Sequence, residues 1–332
     1  MESVGDMARS LVLRTNQVRL REQMDQLAVE VATGFVTDSA QHLNGDLTSL
    51  QEVDRTLSKL SAYRINTTEA TYISGTMQSS LGEMQSRSET LSQILIAAEL
   101  TPTAPLLKTM SDDAENALGQ VMNGLNRSVA GRSLFGGTAT DRPAVSSSED
   151  MLADLRIALA AETTLAGVES QLDTFFGAGG GYETVTYEGS ATGLASLKLS
   201  ETETADIDIR ATDPAFRELL KPLAMAALAA DDSLGFDTDL QVELLAKSGR
   251  ELLAAQQSIV ELRAGLGAVE ARIEDTTARN AAETASTSLA RLDLVGTDQY
   301  ESATKYENVR GQLESLYAIT ARSQRLSLAE YL

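Results

Sequence analysis

The 332-residue sequence has no cysteine, no tryptophan and a single histidine, and its 27 basic side chains are outnumbered by 48 acidic ones. Without cysteine there is no disulfide, no thiolate metal site and no cysteine nucleophile, an absence that also suits a chain exported unfolded. With only His42, no His-x-x-x-His zinc helix exists, and no nucleophile, base and orienter assemble around it. His42 reads as a polar turn residue, and the chain is not expected to be an enzyme. The net charge of −21 opposes phosphate backbones and anionic lipid. Nucleic acid is therefore not an expected partner. No long apolar run occurs either: the longest, Leu223 to Ala230, falls far short of the roughly 20 residues that span a bilayer. Glu2 and Asp6 stand where a secretory signal carries positive charge, and Leu11 to Leu13 is too short an apolar core, so a soluble chain without a cleaved signal is expected, with no membrane insertion.

What is present is aliphatic. Hydrophobic residues make up 42% and aromatic ones only 4%, so burial rests on Leu, Ile, Val, Met and Ala, which favour helix packing. Leu13, Leu20, Met24, Leu27 and Val31 follow three- and four-residue steps, with Gln17 filling one seam position, until Gly34 stops them. Leu47, Leu50, Val53, Leu57 and Leu60 resume a stripe. It continues through Met77, Leu81, Met84, Leu91 and Leu95, with Ser88 in register, to the breakers Thr101, Pro102 and Pro105. A third stripe runs through Leu118, Val121, Leu125 and Val129. The methionines are core candidates rather than a ligand box.

After residue 145 the period changes. Val185 and Tyr187, Leu197 and Leu199, and Ile207 and Ile209 alternate with polar neighbours and predict strands, separated by the loops GAGGG (177–181) and SETETAD (200–206). Helix resumes at Asp213, a cap with Pro214 in the first turn. From Leu245 a seam runs through Ser248, Leu252, Ala255, Ile259, Leu262, Leu266, Val269 and Ile273. A final stripe, Tyr306, Val309, Leu313 and Leu316, leads to LSLAEYL.

The expected fold is mainly α. N- and C-terminal segments form a long antiparallel helical coiled-coil rod with an inserted small β-rich (α+β) middle domain. The expected divisions are an assembly helix over 1–40 pairing with 300–332, rod halves at 41–140 and 236–299, and the insert at 141–235. A seam facing another copy of the chain would show the same spacing as one facing its own partner helix. The stretch GRSLFGGTATDRPAV (131–145) is where the outgoing chain breaks, with Gly136, Gly137 and Pro143 as the expected hinge.

Other clusters read blandly. GAGGG lacks a following Lys-Ser/Thr or a clear helix start and is a loop rather than a phosphate cradle. Asp231, Asp232, Asp237 and Asp239 lack the glycine of a calcium loop. Asp112, Asp113 and Glu115 read as a solvated early helix turn.

The segment Gly131, Arg132, Ser133, Leu134, Phe135, Gly136, Gly137, with Thr138, Asp141 and Pro143, resembles the GRYLFGG, T, D, P passage of the bacterial hook-filament junction proteins. These are the third hook-associated proteins of the flagellum, in the flagellin family. LAVEVATG (27–34) resembles the L, I, S-S-G end of that family's first helix, with Ala32 and Thr33 replacing the serines. MQSSLGEMQSRSETL from Met77 resembles the second helix and LRAGLGAVEARIE from Leu262 the returning one. LSLAEYL resembles the ending L-S-L-L-D-Y-L, with Ala329 and Glu330 substituted. The middle matches only through Tyr187, Glu188 and Gly189. Where the family carries E-D-x-D before its last helix, this chain reads RLDLVGTDQYESA, with Gly296 inserted.

The resemblance implies a secreted, extracellular structural part without cofactor or metal. It would be exported uncleaved with a flagellar export chaperone and assembled as a ring-like layer of copies between the first hook-associated protein and flagellin. The expected assembly residues are Leu20, Met24, Leu27, Val31, Tyr306, Val309, Leu313, Leu316, Leu326, Leu328 and Tyr331, and the signature or hinge set is Gly131, Arg132, Leu134, Phe135, Gly136, Gly137 and Pro143. The outermost segments are expected to be marginal helices alone. Flagellin itself is the nearest alternative; a cytosolic coiled-coil scaffold would explain the heptads but not the glycine signature.

Overall fold

The computed structural model describes residues 4–100 and 102–329, with side chains from 7 to 100 and from 102 to 322. In chain order the elements are α1 (Val4–Thr33), the short α2 (Ser39–His42), α3 (Thr48–Ile96) with a 3-10 turn at Ala97–Glu99, and α4 (Ala104–Leu125). Then come the strands β1 (Ser128–Val129) and β2 (Arg132–Ser133), α5 (Ser148–Leu159), α6 (Leu165–Phe176) and a π-helical turn at Tyr182–Thr186. Strands β3 (Leu197–Lys198) and β4 (Thr204–Ala205), α7 (Pro214–Leu228), α8 (Thr238–Val295) and α9 (Gln299–Ala329) complete the chain.

Local signals set the helix ends. Ser147 and Thr164 accept from the amides of Asp150 and Gly167 at the starts of α5 and α6. Asp237 accepts from Leu240 N (2.8 Å) before α8, and Asp298 from Tyr300 N (2.8 Å) before α9. Pro105 and Pro214 lie in first turns, where their missing N–H has no helical acceptor to lose.

The chain divides into two compact units, residues 1–62 with 280–332 and residues 63–279. In the second, one apolar cluster joins α3, α4, α5, α6, α7 and α8. Its centre is α7, buried from Leu219 through Leu228 apart from the half-buried Lys221, which explains why the longest apolar run lies there. The Ser111 hydroxyl on α4 donates to the carbonyls of Ala226 (3.0 Å) and Ala227 (2.7 Å), supplying partners for the end of α7 that the helix itself cannot. Lys221 and Lys247 share Glu251, and Lys221 also pairs with Asp173 (2.6 Å), Lys247 with Glu169.

In the first unit α1 packs on α9. The chain segments after α1 and before α9 meet as an antiparallel bridge between Phe35 and Gly296, with Val36 N donating to Val295 O and Thr297 N to Gly34 O, both 2.9 Å. A Cβ at Gly296 would stand 2.3 Å from Leu292 O, so a glycine here leaves room for α8 to end and the bridge to form. The Arg291 guanidinium covers the Phe35 ring at 4.6 Å and donates to Asp54 (2.8 Å).

Several expectations need correction. The insert contains β structure but is built mostly from helices; among the described residues its only strands are β3 and β4, two residues each. Val129 leaves the helical stripe and enters β1. Val185 lies in the π turn and is exposed, and Tyr187 makes an isolated bridge to Val145. Leu197 does enter a strand. Ile207 and Ile209 are buried between exposed Asp206 and Asp208, so their alternation reported a two-sided extended segment, but among the described residues no strand pairs with it.

Candidate assembly interface

The signature segment is a fixed turn against the second unit's core. β1 and β2 pair Val129 with Arg132 across Ala130 (φ 50) and Gly131 (φ 77), a two-residue hairpin turn that needs two left-handed residues. Leu134 and Phe135 go inward: Phe135 is fully buried, meets Phe216 edge-on with ring centres 5.6 Å apart, and its carbonyl accepts from Ala211 N (2.9 Å). Gly137 (φ 61) has the carbonyl oxygen of Thr192 2.4 Å from where a Cβ would stand. Gly136 O accepts from Ser190 N, and Thr138 N donates to Thr192 O, both 2.9 Å. The expected hinge glycines are therefore pinned to the 190–192 loop. Pro143 is exposed in the turn that follows.

Two arginines tie this hairpin to α3. Arg132 pairs with Glu69 (2.6 Å), and Arg127 grips Glu83 with both nitrogens (2.7 and 3.2 Å), lowering the Glu83 pKa chiefly through that hydrogen bond. Asn126 at the end of α4 exchanges two 2.9 Å bonds with the backbone of Val145, imitating a strand. Between α3 and the hairpin lies a furrow of about 520 Å³ whose apolar lining includes Ile65, Tyr72, Val129, Leu134 and Leu194. Ile65 and Tyr72 are 62% and 64% exposed, seven residues apart on one helix face.

In the first unit, the sequence-expected seam residues are the ones that turn inward. Leu20 on α1 and Leu313 on α9 are buried, and Met24, Leu27, Val31, Tyr306, Val309 and Leu316 are half-buried. Tyr317 Oη accepts from Arg21 (2.9 and 2.6 Å) and Gln17 (3.2 Å), which with the Phe35–Gly296 bridge fixes an antiparallel pair. The side chains of Leu326 and Leu328, and the whole of Tyr331, lie outside the described residues. Sequence reading missed a second apolar set, Met7, Leu11, Val12, Val18 and Val29 on α1 with Tyr300 and Ile319 on α9, all exposed. Its signal was the apolar residues left over once the seam was drawn.

The remaining polar clusters are accounted for locally. His42 is exposed in α2. Burial opposes the charge on Asp231, but Ser233 and Arg156 (2.7 Å) outweigh it and hold its pKa below the usual range. GAGGG closes as a tight turn, with Gly179 N on Glu183 (2.8 Å). Burial raises the pKa values of Asp213 and of Tyr182, whose hydroxyl donates to Ala211 O (2.8 Å). Among the described residues no group of three or more His, Asp or Glu side chains is placed to hold a metal, and no helix is long and apolar enough to cross a membrane.

These features describe a mainly α-helical protein whose most constrained residues serve packing. Residues 252–332, the end of α8 and all of α9, match the bacterial flagellin C-terminal helical region. That match supports a structural protein of the bacterial flagellum. No curated protein matches the chain. Among solved structures it is similar to a putative flagellar hook-associated protein from Vibrio parahaemolyticus, at 12% identity and a TM-score of 0.41, over 71% of this chain and 95% of the other.

Proposed function

We propose that this protein is the hook-filament junction adaptor of a bacterial flagellum, secreted and assembled as a layer of copies between the first hook-associated protein and flagellin, with an export chaperone holding it beforehand. The observation that carries this reading is the flagellin C-terminal region at 252–332, joined to a partner helix, α1, that closes the same seam. The GRSLFGG segment and the LSLAEYL ending favour the junction role over flagellin. Such a part needs no chemistry. It presents two compatible end surfaces and transmits torque between them.

In this mechanism α1 and α9 pair through their seam and offer the outer set, Met7, Leu11, Val18, Val29 and Ile319, to neighbouring subunits, so that ordering of the ends is completed at assembly. A strain lacking the protein is expected to release flagellin monomer into the medium from filamentless hooks, and antibody against it should mark one discrete layer at the hook tip. Labelling along the whole filament would favour the flagellin reading instead; absence from the flagellar fraction would contradict both.

A further inference from the structure

We infer that the furrow between α3 and the β1–β2 hairpin is a socket for a second copy of this chain, which inserts an apolar side chain flanked by a carboxylate. The inference rests on the reading of the chain as a self-assembling subunit. The socket's floor is apolar and open, with Ile65 and Tyr72 standing out on α3 and Leu134 and Leu194 behind them. An exposed apolar concavity of this kind is a recognition surface rather than a core.

Charge selects the occupant. At the socket's rim Glu69 is taken by Arg132, and Glu83 further along α3 by Arg127, whereas the exposed Arg64 guanidinium makes no ion pair or hydrogen bond among the described residues. A free cation beside an apolar floor fits a carboxylate next to a hydrophobic side chain. This chain, at −21, carries such a group on the same unit. Ile157 on α5 is 79% exposed, and Asp154 one turn earlier makes no ion pair among the described residues. Ala153 and Ala160, small and exposed, surround Ile157 and permit close approach. Leu100 is more exposed, but Glu99 beside it already pairs with Arg250 (2.9 Å). Socket and knob are different surfaces, so the contact is head-to-tail and propagates from copy to copy, as a ring or layer requires.

The absence of native cysteine makes the test direct. Full-length chains carrying Thr68→Cys in the socket and Ala153→Cys beside the knob are mixed and oxidised, in a sulfate salt that strengthens apolar association. The expected result is mixed disulfide in clear excess over either homodimer and over an Asn116→Cys control on α4. Arg64→Glu in the socket chain should cut the mixed product about tenfold, and Asp154→Arg in the knob chain should restore it, which a folding defect would not allow. A mixed yield no higher than the control, no response to Arg64→Glu, or cross-linking of the socket only to a different protein of the flagellum would each overturn the socket. Immunodetection in the flagellar fraction is read separately: presence there without mixed disulfide defeats the socket alone. Mixed disulfide in a protein absent from flagella defeats the flagellar reading.

Discussion

The two units bury helices in different ways. In residues 63–279, α7 is enclosed on nearly every side and Phe135, Phe216, Tyr182 and Met77 are wholly inside. In the unit formed by 1–62 and 280–332, α1 and α9 each bury a single stripe and leave Leu11 65% and Tyr300 84% exposed. A helix with a buried centre holds its shape by itself; one with a half-wet seam and a second apolar face is stabilised further by whatever covers that face. On the proposed assembly reading, the second unit would serve as folded body and the first as assembly element.

The contrast can be broken or sharpened by mutation. Phe135→Ala is expected to have the largest effect, about 4 kcal/mol off the stability of the second unit by urea denaturation, because a closed core leaves a cavity. Leu313→Ala in the seam should cost about 2 kcal/mol in the free chain, the low end for a buried leucine, yet strongly impair incorporation into the flagellum. If the two cost the same in solution, the contrast fails. Gly137→Ala should cost about 2 kcal/mol, from a left-handed backbone and the Thr192 carbonyl.

Smaller effects come from two carboxylates of the second unit with opposite pH signatures. The pKa of Asp231 is depressed in the folded chain, so its contribution is present at neutral pH and lost as pH falls through that lowered value. Asp231→Asn should therefore lower the urea midpoint at pH 7 and converge with the parent in acid. The pKa of Asp213 is raised, chiefly by burial, so its ionisation opposes folding as pH rises through that value. Asp213→Asn should raise the midpoint at pH 7, with the advantage gone below about pH 4. Smallest is Ala130→Gly, which relieves a non-glycine left-handed residue and should add about 0.5 kcal/mol.

Seam periodicity was legible because an aliphatic stripe at three- and four-residue steps has one simple reading, and Gly34, Pro105 and Pro214 marked helix ends through backbone geometry. What the stripe faces was not legible, since a heptad is silent about its partner. The contacts of Tyr317 with Arg21 and Gln17, and the bridge between Phe35 and Gly296, show the terminal pair closing within one chain. The insert was misread for a physical reason: alternation at 206–209 records which side chains are buried, whereas strand status depends on a hydrogen-bonded neighbour that the sequence does not name. Tyr187 misled in the same way, because it caps the π turn at 182–186 and makes an isolated bridge to Val145 rather than entering a strand. The furrow on α3 was invisible, because its walls come from residues 65–73, 129–134 and 194, brought together by the turn at Gly131.

The most direct measurement is amide hydrogen exchange across α1 and α9, in the free chain and in assembled flagella. The account predicts that residues 4–33 and 299–329 exchange far faster than α4 and α7 in solution and become comparably protected once assembled. Terminal helices as protected as α7 in the free chain, unchanged by assembly, would contradict it.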